Sequence, residues 1–169
     1  TIRDLSNNPS YTGDGSSGYY IWGAQVEQGS FPTSYIPTTT ATVTRAADVL
    51  KTPTGTWFNN SVGTLLAFGN IPYVGSASNP QFASLTDNTS NNLIALLMAD
   101  SSSDQKRGFI NESGVQQYSA SIGTYIADAV FKGALSYSAS NTNTAIDGTI
   151  GTVTSGILIP PITNLSVGN

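Results

Sequence analysis

The strongest constraint on the fold of this chain is a strict alternation of side chains over residues 128–137. Successive side chains of a β-strand point to opposite faces of its sheet. The alternation therefore predicts a strand with one buried and one solvent-facing side, which is typical of an antiparallel sheet in a sandwich. The inward set is Ala129, Phe131, Gly133, Leu135 and Tyr137, and the outward set is Asp128, Val130, Lys132, Ala134 and Ser136.

Further β-type segments follow one another at short intervals and are separated by turn residues. Strands are predicted at residues 64–68 and 81–86, and a hairpin is predicted to join 107–110 to 114–118 around a turn at 111–114. Regular short strands with such turns predict an all-β fold, an antiparallel β-sandwich or jelly roll.

Two of these segments leave more room for interpretation. The run Leu93–Met98 is compatible with a helix or a strand, and we prefer a strand because the run is short and its flanks are rich in turn residues. A later strand is expected to place Ile146 and Ile150 inward, with Gly148 between them permitting close backbone approach.

Composition supports a folded domain and excludes several classes of site. Hydrophobic residues make up 38% of the 169 residues, so a core can form, while charged residues make up only 9%. The chain is instead rich in Ser, Thr and Asn, with 22, 21 and 14 copies, as expected for an extracellular or capsid-like domain. It has no His and no Cys. Common zinc sites, iron–sulfur clusters, Ser–His–Asp machinery and disulfides are therefore excluded.

The charge pattern argues against two kinds of partner. The net charge is −4, and the six Lys and Arg residues are scattered rather than clustered. A nucleic-acid interface needs clustered basic residues, so none is expected. The longest apolar run, Leu93–Ala99, is far shorter than the ~18 residues of a membrane-spanning helix, so no membrane insertion is expected.

Three zones are predicted along the chain. Residues 1–30 contain a segment, 19–26, that is apolar on both faces, which predicts a strand covered on both sides with Trp22 buried. Residues 31–56 are interrupted by prolines and read as a connector. Residues 57–169 carry the main series of strands and form the predicted sandwich.

The last apolar stretch of the sequence raises the question of what covers it. Residues 157–162 are almost entirely apolar, and no closing strand is predicted after Leu165–Gly168. An unpaired apolar edge is an aggregation liability. We therefore expect residues 157–168 to contact sequence beyond Asn169 or a neighbouring subunit, and the sandwich to be incomplete at both ends.

The segment Tyr20–Thr38 resembles a motif common in virion proteins of tailed bacteriophages, with Trp22-Gly23-Ala24-Gln25-Val26-Glu27 at its start. The usual continuation of that motif is also present, as Thr44–Asp48. The resemblance implies that residues 1–30 end a preceding carbohydrate-binding-module-like jelly roll, in which Trp22 and Gln25 are structural. It also implies that Arg45 and Asp48 anchor the connector to the domain that follows.

The remainder is similar to the concanavalin A-like, or laminin-G-like, jelly roll that often follows this motif in phage fibres and spikes. The likeness is carried by Gly63–Phe68, Val130–Tyr137, Ala145–Gly148 and Leu165–Gly168. It implies that residues 57–169 are such a sandwich without its closing strand.

The carboxylates do not form a hydrolase pattern. Glycosidases need two carboxylates across a cleft, and glucanases of the resembled fold carry a Glu-x-Asp-x-x-Glu strand. The only glutamates here are Glu27 and Glu112, and neither is followed by a carboxylate two positions later. Asp100 and Asp104 lie in a Ser-rich stretch that reads as a solvated loop. No catalytic residue is therefore assigned, and the domain is interpreted as a non-enzyme.

Binding residues are sought among aromatic side chains near amides, because sugars are held by stacking and by hydrogen bonds to polar groups. The alternative for every one of them is packing in the core. No cofactor is expected, although calcium is a candidate ligand for loop carboxylates and amides at Asp87, Asn88, Asp100, Asp104 and Asp147. The candidate glycan-binding residues are Trp57, Asn59, Asn60, Tyr73 and Tyr118.

The resemblance implies a function as well as a fold. It implies a non-catalytic structural or adhesive component on the exterior surface of a phage virion, as tail fibre, head spike or capsid decoration. The implied partners are other virion proteins, further copies of the chain in a homo-oligomer, a trimer by analogy, and host-cell glycan. Two alternatives stay open, a polysaccharide depolymerase domain and a secreted bacterial glycan-binding module.

Overall fold

A computed structural model describes residues 15–16, 18, 20–27, 32–44, 50–71, 79–99 and 104–168 of the chain. The chain divides into two compact units, residues 1–46 and 47–169. Arg45, Asp48 and Tyr73 lie outside the described residues. The predicted role of the Arg45–Asp48 pair and the candidate glycan contact of Tyr73 therefore stay predictions.

The second unit is all-β over its described residues and contains two antiparallel sheets. One sheet has six strands in the order β1-β10-β3-β4-β5-β6, and the other has four in the order β2-β7-β8-β9. The predicted all-β, antiparallel β-sandwich class is confirmed. The strands are β1 Leu50–Pro53, β2 Val62–Gly69, β3 Gln81–Thr86, β4 Leu93–Ala99, β5 Gln105–Glu112, β6 Val115–Thr124, β7 Phe131–Ser138, β8 Asn143–Ile146, β9 Thr149–Ile150 and β10 Asn164–Val167.

Side chains from both sheets form the core. The inward positions of β7 are the ones that the alternation predicts, with Phe131 and Leu135 fully buried and Tyr137 nearly so. Phe131 stacks on Phe82 of β3, with ring centroids 3.8 Å apart and planes 5° from parallel. This pair joins the two sheets, because β7 and β3 belong to different ones.

The ambiguous run at 93–98 is a strand, as preferred. It forms β4, which lies between β3 and β5. Ile94, Leu96 and Met98 face the main core, while Leu93, Ala95 and Leu97 form a second buried cluster on the other face. Burial on both faces explains the unbroken apolar sequence, because a strand alternates only when one of its faces meets water.

Two turns show how local sequence sets the register. Ser113 and Gly114 both have positive φ, 50° and 79°, and connect β5 to β6 as the predicted hairpin. Asp147 and Gly148 form a second two-residue turn, which pairs Ile146 with Thr149. Ile146 is buried as predicted. The prediction for Ile150 is wrong, since it lies one position beyond Thr149 on the opposite face and is 72% exposed.

The structure overturns the prediction of an open edge near residue 168. Strand β10 lies inside the six-stranded sheet, paired with β1 on one side and with β3 on the other. Ile157 and Ile162, in the segment before it, are buried in the core. The apolar end is therefore covered within its own unit.

The strand that covers β10 comes from the predicted connector. Strand β1 pairs Leu50 with Val167 and Pro53 with Asn164. The predicted start of the sandwich at residue 57 is consequently too late, because β1 already belongs to the sheet. The local sequence of β1 does not predict this strand, because its four residues are all exposed and give no apolar pattern. They include Pro53, which fits an edge strand.

The first unit does not contain the predicted strand over its described residues. Residues 20–27 have no strand conformation, and Trp22 is 81% exposed, so its predicted burial is wrong. A strand needs a neighbour for its backbone hydrogen bonds, and the described residues of this unit include no second strand. Within this unit, Gln25 Oε1 accepts a hydrogen bond of 2.8 Å from the Ile36 N–H.

Candidate functional site

Trp57 is the exposed aromatic among the candidate residues that the structure describes, and it lies in the connection between β1 and β2. The Phe58 N–H donates a 3.1 Å hydrogen bond to the Gly55 carbonyl, so the chain turns sharply here. Gly55 makes room for the indole, since a Cβ at this position would lie 3.3 Å from Trp57 Cδ1. The indole is 60% exposed.

A row of aromatic rings connects Trp57 to the core. The Trp57 ring meets Phe58 edge to face at 5.9 Å between centroids, and Phe58 stacks on Tyr137 at 6.3 Å. Burial raises the pKa of the Tyr137 hydroxyl, which donates a hydrogen bond to the Asn59 carbonyl at 3.1 Å. The exposed indole therefore packs on Phe58, which in turn packs on the buried Tyr137 ring.

These rings border a groove of about 370 Å³ between the two sheets. We call it the Trp57 groove. Gly63 lets the Tyr137 ring lie directly against β2, because a Cβ there would overlap that ring. Its wall combines aromatic, aliphatic and amide groups, which is typical of small-ligand sites. The lining residues are Trp57, Phe58, Asn59, Val62, Gly63, Thr64, Leu65, Leu66, Ala83, Leu85, Tyr137, Leu165 and Val167.

The two amides beside Trp57 serve the fold through their carbonyl oxygens. Asn59 Oδ1 accepts hydrogen bonds from the N–H groups of Ser61 and Val62, at 2.8 and 3.3 Å, and so shapes the start of β2. Asn60 Oδ1 accepts from the Ile162 N–H at 3.3 Å and ties the segment before β10 to this turn. Asn59 lines the groove, but the carbonyl oxygens of both amides already have partners.

Tyr118 is a core residue and not a surface one. It is only 4% exposed, on the inward face of β6 opposite Ile110. Its prediction as a glycan-stacking residue is therefore corrected, because a sugar ring needs an accessible aromatic face. Tyr125 is also buried, and its hydroxyl lies 2.9 Å from the Ile71 carbonyl and 3.0 Å from the Ala129 carbonyl, so its single O–H has an acceptor within the fold.

The carboxylates of Asp147 and Asp87 already bind other groups of the fold. Burial alone would raise the pKa of Asp147, but hydrogen bonds from Lys106 Nζ and the Lys132 N–H, with the charges of both lysines, lower it. Hydrogen bonds from Thr89 and Asn92 lower the pKa of Asp87 and shape the β3–β4 loop.

The calcium candidates are spread over separate parts of the unit. Asp87 and Asn88 lie in the β3–β4 loop, Asp147 lies in the β8–β9 turn, and Asp100 is outside the described residues. Within the described ranges, no three acidic side chains come close enough together to form a metal-binding group.

Sequence reasoning missed a second, more polar cavity of about 160 Å³ on the outward face of the six-stranded sheet. We call it the Lys51 pocket. The polar residues of β10 and the sequence around Lys51 carry no motif, so only a prediction of the β1–β10–β3 pairing would reveal it. Its lining residues are Lys51, Gln81, Ser84, Thr86, Asn88, Thr89, Ser90, Leu93 and Ser166.

No protein-family model and no curated protein matches this sequence. Over the part of the chain that the structure describes, no helix is long and apolar enough to cross a bilayer. A proposal for the function consequently depends on the motif resemblance and on the chemistry of the two cavities.

Proposed function

We propose that this chain is a non-catalytic structural or adhesive domain on the exterior surface of a tailed-phage virion, and that it contacts host-cell glycan through the Trp57 groove. The virion assignment is supported by the motif that runs from Tyr20 to Asp48. The all-β sandwich is compatible with that assignment, although many unrelated functions use such folds.

The observation that carries the binding proposal is that the indole of Trp57 is exposed and is supported by its ring contact with Phe58. An aromatic ring offers a flat apolar face to the C–H groups of a sugar ring, and its rigid support lowers the entropy lost when a ligand binds. The groove beside the indole adds a place for a second group of the ligand. Trp57 is thus the one exposed aromatic among the described candidate residues, while Tyr118 is internal.

The contacts of the carboxylates support a non-catalytic role. A glycosidase acid has a raised pKa, whereas its partner carboxylate must be free to attack or to activate water. Asp147 and Asp87 instead have lowered pKa values and hold turns together. Glu112 accepts a hydrogen bond of 2.7 Å from the Ser113 hydroxyl beside the β5–β6 turn.

Binding of the purified chain to host-surface polysaccharides on a glycan array tests this proposal. Trp57→Ala is expected to abolish binding, and Trp57→Phe is expected to retain part of it, because a smaller ring still stacks. Phe68→Ala is the matched control, since Phe68 is also an exposed aromatic, at 75%, but lies on the outward face of β2. Equal losses in Trp57→Ala and Phe68→Ala would contradict the assignment of the groove.

Analysis of the glycan after incubation separates adhesion from depolymerisation. The proposal expects the polysaccharide to keep its chain length. Shortened oligosaccharides whose formation is lost in Asp147→Asn or Glu112→Gln would show a hydrolase and would overturn the non-enzyme assignment.

Assembly with other virion proteins and with further copies of the chain is part of the proposal. The homotrimer is supported by the resemblance alone, because the apolar end that suggested a covering subunit is paired within the sandwich. Light scattering of the purified chain measures the oligomer directly. A monomer at all accessible concentrations would contradict the trimer without affecting the test of Trp57.

A further inference from the structure

The Lys51 pocket lies where β1, β10 and β3 run side by side. Lys51 is directly opposite Ser166, which in turn is directly opposite Ser84. Cross-strand neighbours of this kind lie roughly 4.5–5.5 Å apart on one face of a sheet. The three side chains therefore form a single row along the outward face.

An irregularity in β3 adds a fourth group to this face. The pairing with β4 shifts between Gln81 and Ala83, and Phe82 and Ala83 both face the core. A bulge of this kind reverses the facing of the residue before it and is frequent beside binding sites. Gln81 is consequently on the outward face, where it lines the pocket.

Two buried polar atoms of the pocket have no hydrogen-bond partner. Ser166 is only 4% exposed, and its Oγ is unpaired. Gln81 Oε1 is buried and unpaired as well. Buried polar atoms are nearly always hydrogen-bonded, so two such atoms on one small cavity point to a group that is bound there.

Two other polar side chains that line the pocket, Thr86 and Lys51, already make hydrogen bonds within the fold. The Thr86 hydroxyl donates to the Thr89 carbonyl at 2.9 Å and accepts from the Asn88 N–H at 3.0 Å, so it has no donor left. Lys51 Nζ donates to Asn88 Oδ1 at 3.2 Å, which places the ammonium at the loop that borders the pocket. An ammonium has three N–H donors, so donor capacity and a full positive charge remain for a ligand.

We propose that the Lys51 pocket binds a small hydroxy-carboxylate, of which the uronic acid unit of an acidic polysaccharide is the carbohydrate form. The Gln81 amide accepts through Oε1 or donates through Nε2, and a hydroxyl group of the ligand can pair with either. Ser166 Oγ accepts or donates and pairs with a second hydroxyl. Lys51 favours an anionic group through a charge-assisted hydrogen bond.

The size of the pocket restricts the ligand to one unit. The pocket has a volume of about 160 Å³. Ligand sites for larger molecules span about 300–1,000 Å³. One sugar ring or a hydroxy acid of similar size is therefore the expected occupant, and further units of a polysaccharide would extend into solvent.

Ligand-observed NMR of the whole chain tests the proposal with four probes that separate charge from hydroxyl groups. Glucuronate carries both, glucose carries only hydroxyls, acetate carries only charge, and a hydroxy acid without a sugar ring, glycerate, distinguishes the two sources of the ligand. Glucuronate is expected to bind at least ~10-fold more tightly than glucose or acetate, which corresponds to ~1.4 kcal/mol. Equal saturation by glucuronate and acetate, or none by glucuronate, would overturn it.

Two substitutions in the pocket identify the groups involved. Lys51→Met is expected to remove the preference for glucuronate over glucose, while Ser166→Ala is expected to weaken both several-fold. Lys132→Met is the matched control, because Lys132 is an exposed lysine on the outward face of the other sheet. Unchanged glucuronate binding in both pocket variants would contradict the site.

The thermal stability of Ser166→Ala provides a readout that does not depend on any ligand. A hydroxyl directed at a ligand has no partner in the free protein, so its removal is expected to leave the melting temperature unchanged or to raise it. A marked decrease would show that the hydroxyl is structural and would overturn its role. Glucuronate binding must also survive Trp57→Ala, so this inference and the proposed function fail separately.

Discussion

Two segments of this chain have sequences that predict a β-strand, but only one of them forms a strand. Residues 20–27 and 131–138 each contain two aromatic side chains together with aliphatic ones. The second segment forms β7, in which Phe131 and Leu135 are fully buried. The first has no strand conformation, and Tyr20 and Val26 are fully exposed.

The difference shows what an apolar sequence needs before it becomes a strand. Strand β7 pairs with β2 on one side and with β8 on the other, and on its inward face it contacts β4 and, through the Phe131–Phe82 ring pair, β3. Residues 20–27 have no described strand beside them, so their backbone groups have no ladder to join. Strand propensity largely measures how well a side chain fits a pleated, half-buried surface, and it has little effect where that surface is missing.

The largest change in stability is expected for Phe131→Ala, which tests the burial of the inward face of β7. It removes the ring that stacks on Phe82 and leaves a cavity between the sheets, so the free energy of unfolding is expected to fall by about 3–5 kcal/mol. Urea unfolding followed by circular dichroism measures this change. The neighbouring Lys132→Ala, on the outward face, is expected to cost less than ~1 kcal/mol. Similar losses in the two variants would contradict the assignment of the inward face.

A smaller effect is expected from Gly133→Ala in the same strand. A Cβ at Gly133 would overlap the Phe131 ring, so the ring or the strand must move, at an expected cost of ~1–3 kcal/mol. Gly69→Ala at the end of β2 is the control, because a Cβ there has nothing within 4 Å. If thermal unfolding shows Gly133→Ala to be as stable as Gly69→Ala, the close approach of the ring is wrong.

The turn that follows β8 offers a pH-dependent test of how β7 is held. Asp147 binds Lys106 Nζ at 2.6 Å and the Lys132 N–H at 2.9 Å, and its pKa is lowered from 3.8. A lowered pKa in the folded state means that the stabilisation is complete above the pKa of the unfolded chain and is lost as the pH falls through the folded value. Near neutral pH, Asp147→Asn is expected to cost on the order of 0.2–1 kcal/mol.

Denaturant unfolding at a series of pH values measures that difference. Asn tolerates the positive φ of 49° at this position, so the backbone is expected to persist. The gap between the native chain and Asp147→Asn should close in acid, below the folded pKa. A gap that stays constant across the whole range would contradict a role of the carboxylate charge.

The smallest effect is expected from Trp22→Ala in the other segment. Trp22 is 81% exposed, and its described ring contact is an edge-to-face one with Tyr35 at 6.0 Å. The unfolding free energy of the sandwich is expected to change by less than about 0.5 kcal/mol, as for most surface substitutions. A loss of several kcal/mol would show that residues 20–27 are structured in a way that resembles β7 after all.

The comparison also explains which parts of the fold the sequence could predict. Alternation identified the inward face of β7, and turn residues identified the hairpin of β5 and β6, because both signals act over a few neighbouring residues. The same local patterns indicated Trp57, beside two amides, as a candidate binding residue. They could not tell that Tyr118 faces the core, since an isolated tyrosine fits either face of a strand.

The sequence by itself determined the all-β class, most of the strands and the chemical classes of site that a chain without His and Cys excludes. Only the tertiary structure decided that β10 pairs with β1, which is more than a hundred residues earlier in the chain. That pairing closes the apolar end, moves the start of the sandwich and brings Lys51 of β1 and Ser166 of β10 to the Lys51 pocket. The physical reason is that a strand's sequence specifies its two faces, whereas the identity of its neighbours depends on non-local hydrogen bonds and shared burial that no single segment encodes.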